Sequence, residues 1–133
     1  MRSIAERRGQ QAFRDALLRA YGRRCAVTGC DVVDVLEAAH ITPHLGLETN
    51  HVTNGLLLRA DLHTLFDLGL IGVDPDSRTV VLHGRLHGSE YETLRGRRIG
   101  RPALESEAPS AKALGRHLEA SGLAAGPAAA PGS

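Results

Sequence analysis

The chain is short of the residues that usually fill a dense core. Its 133 residues include no Trp, two Phe and two Tyr, so a core must be assembled from Leu, Val, Ala and Ile and stays small. This length suits one domain of ordinary size and excludes two. Long apolar runs are missing as well: no stretch of about 18 apolar residues occurs, which excludes a membrane-spanning helix. The opening MRSIAERRGQQ lacks the apolar centre of a secretion signal, so the expected location is the cytoplasm. Cysteine is limited to Cys25 and Cys30. A reducing compartment keeps them as thiols, and two thiols cannot make a four-cysteine zinc site. Their expected place is a hairpin in the core.

Lysine is almost absent too. Lys112 is the sole one, so nearly every cation is Arg, the better bidentate clamp for phosphate. The formal net charge of +1 conceals a pattern. Residues 1–30 carry seven Arg against Glu6 and Asp15, residues 31–77 carry eight carboxylates against Arg59, and residues 78–101 carry six Arg against Glu90 and Glu92. An acidic middle between Arg-rich flanks suits a cation site framed by phosphate-holding surfaces. Solvated helix faces with ordinary Arg usage explain the same numbers equally well.

Apolar periodicity predicts an amphipathic helix over residues 8–21, ended by Gly22. CAVTGCDVV reads as a tight hairpin turning at Thr28-Gly29. A strand over 32–41 follows and stops at Pro43, and HLGLETNHVT reads as a surface loop. Gly55 to Leu58 reads as a short strand, with a helix beginning near Asp61, an N-cap or first-turn acid, and ending near Gly69. A second hairpin turns at residues 74–77. The basic segment YETLRGRRIGRP has no clear periodicity, and residues 109–121 suit one more helix. The end of the chain, GLAAGPAAAPGS, is low-complexity and expected to be disordered.

On this layout His40 lies at a strand end, Asn54 at the start of the next strand and His63 on the following helix. Asp67 is four residues beyond His63 and shares its face. An imidazole and a carboxylate at that spacing form a two-ligand clamp for a divalent cation. Singly, each of these residues has an ordinary structural use; together, in this order, they point to chemistry. Arg59 has two uses open to it, holding a substrate phosphate or pairing with Asp61. His44 and His51 either touch nucleic acid or are simply solvated, and His83, His87 and His117 have no assigned role.

LEAAHITP, NGLLLRADLHTLFD and CAVTG together resemble the HNH endonucleases, in the subgroup with an E-A-A-H-I-x-P box, over about residues 10–100. The resemblance implies an α+β fold: a ββα-metal (His-Me finger) core with an N-terminal helix and flanking β-hairpins. The nuclease domain would span 1–108 with its core motif at 32–70, followed by a helical segment at 109–122 and a disordered tail at 123–133. It further implies that His40 is the general base, that Asn54 braces the loop and orients His40, and that His63 and Asp67 hold one divalent metal ion. Mg²⁺ or Mn²⁺ suits the carboxylate and water, Ni²⁺ or Zn²⁺ the imidazole. The implied substrate is DNA, cut to 5′-phosphate and 3′-hydroxyl ends in a restriction or defence setting, with recognition supplied by a separate domain or partner. Where many relatives carry Asp or His before the base, this chain has Ala39. Glu37, on the same side of the strand, either reaches the ion or is a structural carboxylate bonded to backbone or Arg. A rival reading keeps the scaffold as a non-catalytic, metal-stabilised nucleic-acid-binding module.

Overall fold

The computed structural model describes residues 4–43 and 49–123. The first helix, α1, runs from Ile4 to Ala20, starting about a turn before the periodic stretch because its first residues are exposed and leave no apolar signal. Phe13, Leu17 and Ala20 are buried along one face. Gly22 and Arg23, both with φ near +60°, reverse the chain after it.

The expected hairpin at residues 25–33 is not formed. Gly29, at φ +77°, does make the turn, but the segment closes on itself: Gly29 N–H donates to the Cys25 carbonyl and Cys25 N–H to the Cys30 carbonyl. Closing the ring over so few residues consumes the backbone groups that two strands would have exchanged. Cys25 is buried and Cys30 partly so, both as thiols. The Cys25 sulfur accepts from the N–H groups of Thr28 and Arg59.

The strand expected at 32–41 is shorter. Residues Val33–Val35 form a 3₁₀ turn, and strand β1 covers Leu36–His40. A second 3₁₀ turn, Val52–Asn54, leads into β2, Gly55–Arg59. The two strands pair antiparallel from Leu36 opposite Arg59 to His40 opposite Gly55. Helix α2, Ala60–Asp67, begins at the very next residue, with Asp61 as the acid of its first turn. Leu56, Leu57 and Leu58 are all inaccessible, because α1 covers one face of this sheet and α2 the other. That two-sided burial explains why β2 is a continuous leucine run with no alternation.

Strands β3, Ile71–Val73, and β4, Val80–Leu82, form the second hairpin. Its turn is closed by Asp74, whose Oδ1 accepts from the N–H groups of Asp76 and Ser77, the Asx geometry that the sequence suggested. The basic segment lies along β4: Val80 N–H donates to Arg97 and Gly96 N–H to Val80. Helix α3, Ala111–Ser121, is capped by the Ser110 hydroxyl at one end and by left-handed Gly122 at the other. It packs on β3, so the C-terminal helical segment is part of the same core. Of the tail expected at 123–133, Leu123 is instead buried, its N–H donating to the Leu118 carbonyl; residues 124–133, and His44 in the loop, lie outside the described residues.

Two close contacts hold the elements around the open end of the β1–β2 sheet. A Cβ added to Gly55 would lie 2.6 Å from Phe13 Cζ and 2.8 Å from Leu17 Cδ1, so α1 sits directly on the β2 backbone opposite His40. On the other side, the His117 ring of α3 stacks on Phe66 of α2 with centroids 3.6 Å apart and planes 1° from parallel. Its Nε2–H donates to the Phe66 carbonyl at 2.9 Å.

Gly55→Ala therefore overpacks this contact and should destabilise the protein by about 1–3 kcal/mol, read as a lower urea midpoint at unchanged slope. Burial pushes the His117 imidazole below its ordinary 6.5, a shift opposed by its bond to Phe66 and by the Asp67 charge. The folded ring thus takes up a proton less readily than the unfolded chain, which does so below about 6.5. Stability from this group is complete above that pH and is lost as the pH falls towards the lower folded value. The urea midpoint of the wild type should drop more between pH 7.5 and 5.5 than that of His117→Phe; equal drops would rule out His117 as the source.

Candidate active site

A cleft of about 980 Å³ opens at the end of the β1–β2 sheet, and His40, His63, Asp67, Arg116 and His117 stand on its walls. Three elements supply the polar groups. β1 ends in His40, α2 presents His63 and Asp67 one turn apart, and α3 forms the facing wall with Arg116, His117, Ala120 and Ser121. The structure thus brings His40, His63 and Asp67 to one space.

His40 is half-buried and held on two sides. Its ring stacks on Phe13 with centroids 4.4 Å apart and planes at 15°, and its Nε2 lies 2.8 Å from Asn50 Oδ1. An amide oxygen only accepts, so this contact is made with the proton on Nε2. The orienting bond expected from Asn54 thus comes from Asn50. The Asn54 side chain is occupied elsewhere. Its Oδ1 accepts from Thr42 N–H at 3.0 Å and from the Thr42 hydroxyl at 2.9 Å, while its Nδ2 donates to the Thr49 carbonyl at 3.1 Å. Asn54 ties together the two ends of the loop that leaves β1 and re-enters β2, and Ile41 N–H donates to the Asn54 carbonyl.

His63 lies between two carboxylates. Its Nδ1 is 2.7 Å from Glu37 Oε1, and its Nε2 is 3.2 Å from Asp67 Oδ2. Glu37 reaches His63 because it faces α2 from β1, three residues before His40. It does not line the cleft; it backs the imidazole from behind. Among the structural partners foreseen for Glu37, backbone and Arg, neither is the one it has. Among the described residues no three His, Cys, Asp or Glu side chains are grouped as a metal cage. The two cleft-facing donors, Nε2 and Oδ2, have a separation that matches adjacent ligand atoms about 2.1 Å from a shared cation.

Arg59 takes the ion-pair alternative. Its guanidinium grips Asp61 twice, at 2.7 and 3.0 Å, and Tyr91 donates its hydroxyl to the same carboxylate at 2.8 Å. The Arg59 bonds, with that of Tyr91, pull the Asp61 carboxyl down to about 2. Arg59 is absent from the cleft wall. His51 is exposed and caps the 3₁₀ turn, its Nδ1 accepting from Thr53 N–H.

Sequence reasoning missed Asn50, Phe13 and the α3 wall. Phe13 shows in the sequence only as a core position of an amphipathic helix, and Asn50 only as a polar loop residue. No periodicity tells which loop amide meets which ring. Arg116 and His117 are remote in sequence and reach the cleft only through the docking of α3 on β3.

The HNH endonuclease family profile matches residues 25–74, the span that holds β1, β2, α2 and β3. The structure of a modification-dependent restriction endonuclease, TagI, shares the fold over 82% of this chain, with a TM-score of 0.56 and 23% sequence identity. This chain spans 37% of the length of that one. No curated protein matches the sequence. With two antiparallel strands running straight into a helix, His40 closing the first strand and His63 on the helix, residues 25–74 are similar to the HNH endonucleases.

Proposed function

We propose that this domain is a divalent-metal-dependent endonuclease that hydrolyses phosphodiester bonds in DNA, with His40 as general base and His63 and Asp67 as the metal-holding pair. The observation that carries the reading is the shared cleft: a basic nitrogen from β1 and a cation-sized pair of donors from α2 line one space large enough for a phosphodiester.

The residues fit a bound cation on chemical grounds. With Nδ1–H donating to Glu37, the His63 Nε2 lone pair faces the Asp67 carboxylate at 3.2 Å. Two acceptors at that distance repel unless a proton or a cation lies between them. A divalent ion there would supply Lewis-acid stabilisation of the charge that builds on the scissile phosphate and the departing 3′ oxygen. Two protein donors leave the remaining positions to water and phosphate, a usual arrangement for Mg²⁺ and Mn²⁺.

The protein's own steps follow from its side chains. Asn50 and Phe13 hold the His40 ring so that Nδ1 accepts the proton of a water molecule in the cleft. The water oxygen bonds to phosphorus as the bond from phosphorus to the 3′ oxygen breaks, leaving 5′-phosphate and 3′-hydroxyl ends. Asn54 ties Thr42 to Thr49 beside the strand end that carries the base. Glu37 fixes the tautomer and orientation of His63, as carboxylates behind metal-bound imidazoles do. The restriction and defence setting is a proposal supported by the neighbour described as a modification-dependent restriction endonuclease.

Supercoiled plasmid incubated with Mg²⁺ or Mn²⁺ should be nicked or linearised by the wild type, with His40→Ala slower by roughly a hundredfold or more, the usual range for a lost general base. Cleavage that survives in the variant would remove His40 from this role. In calorimetry, Mn²⁺ affinity should be lost in His63→Ala and Asp67→Ala and reduced about tenfold in Glu37→Gln. Unchanged affinity in all three would take the metal away from this pair.

A further inference from the structure

We propose that Arg116, on α3, is the residue that grips the DNA phosphate in the cleft, the task for which Arg59 is unavailable. This rests on the nuclease reading above and adds a substrate-binding residue to it.

Three observations converge on Arg116. First, among the described residues it is the one arginine on the cleft wall, where it shares the space with His40, His63 and Asp67. A polyanion entering this cleft meets the Asp67 carboxylate and, in Glu37, a second one behind His63, so a fixed cation opposite them offsets local repulsion. Second, its guanidinium is exposed and, among the described residues, has no hydrogen-bond or ion-pair partner. By contrast Arg59 is bound at both Nε and NH2 by Asp61. An arginine already forked onto a carboxylate has no second fork to give; one with its donors open to the cleft does. Third, its backbone is fixed beside the proposed metal-holding pair. The next residue, His117, is stacked on Phe66 and bonded to the Phe66 carbonyl, and Phe66 immediately precedes Asp67.

The neighbouring wall is low. Ala120 and Ser121 follow Arg116 and His117 one turn later on the same face of α3, and Gly69 meets them from the end of α2. At Gly69, with φ +73°, an added Cβ would stand 3.2 Å from Ser121 Cβ, so the two helix ends approach closely, with the exposed Leu68 beside them. A sugar-phosphate backbone can pass over such an edge while a phosphate is held by the adjacent guanidinium. Arg116 would therefore bind the strand backbone without reading bases.

The test uses His40→Ala protein without metal and a fluorescent duplex of about 30 base pairs, followed by anisotropy across a salt series. Arg116→Gln should weaken binding about tenfold and reduce the slope of log affinity against log salt by about 0.9, the value for one phosphate contact. Arg116→Lys should keep the slope and lose part of the affinity, since charge is retained and the fork is not. Lys112→Gln removes the same charge one turn earlier on α3, outside the cleft, and should leave the slope unchanged. Binding by Arg116→Gln equal to that of the parent, or an equal loss in Lys112→Gln, would overturn the assignment. Circular dichroism of both variants, matching the parent, ties any loss to the interface. With His40 intact, wild-type plasmid cleavage that is unaffected by Arg116→Gln would sink Arg116 alone; a wild type that leaves plasmid untouched would sink the nuclease reading and this residue with it.

Discussion

The site depends on the register of one strand pair. β1 and β2 are each five residues long, and α2 follows β2 with no intervening loop, so the strand pairing fixes where the helix starts and which way its face points. With Glu37 opposite Leu58 and Ala39 opposite Leu56, these positions face α2, and Glu37 meets His63. His40, opposite Gly55, faces α1 and meets Phe13. A slip of one residue would exchange the two faces. Glu37 would then turn towards α1 and His40 towards α2. Burial of Leu36, Ala39, Leu56, Leu57 and Leu58 opposes such a slip, since each would have to trade its partner layer. Apolar packing thereby sets the geometry of the polar groups.

Phe66 extends that control to the facing wall. Its side chain is buried in the core, its ring carries the His117 stack and its carbonyl takes the His117 proton. One residue of α2 thus anchors α3 while its neighbour, Asp67, faces the cleft. Loosening of α3 would move Arg116 and widen the cleft without disturbing His40. His40 is braced separately by Phe13 and Asn50. The two walls of the cleft therefore rest on separate supports.

Charge arrangement follows the same division. The carboxylates nearest the cleft are on β1 and α2, around one imidazole, and the arginine on its wall comes from a distant helix. Asp61, in the same acidic stretch of sequence, is spent on Arg59 and Tyr91 and helps to fix the start of α2. The acidic middle of the chain is therefore a mixture of site and scaffold, which a sum of charges cannot separate.

What the sequence determined by itself is whatever is local. The 3.6-residue period of α1, the Asx turn at Asp74, the Ser110 and Gly122 caps and the spacing of His63 and Asp67 on one helical turn all follow from neighbours in the chain. The family boxes named His40, Asn54 and His63 because those residues lie in short contiguous motifs. Tertiary structure alone decided the rest. Whether residues 25–30 pair as strands or close as a turn depended on the docking of that segment, with Ala26 N–H donating to Leu57 and Gly100 N–H to Ala26. The choice of Asn50 over Asn54 for His40, of Asp61 for Arg59, and the arrival of Arg116 opposite Asp67 involve side chains brought together by packing over up to about fifty residues of chain. Sequence spacing carries no record of such contacts, because the directions of the side chains are fixed only when the helices and the two small sheets pack around a common core.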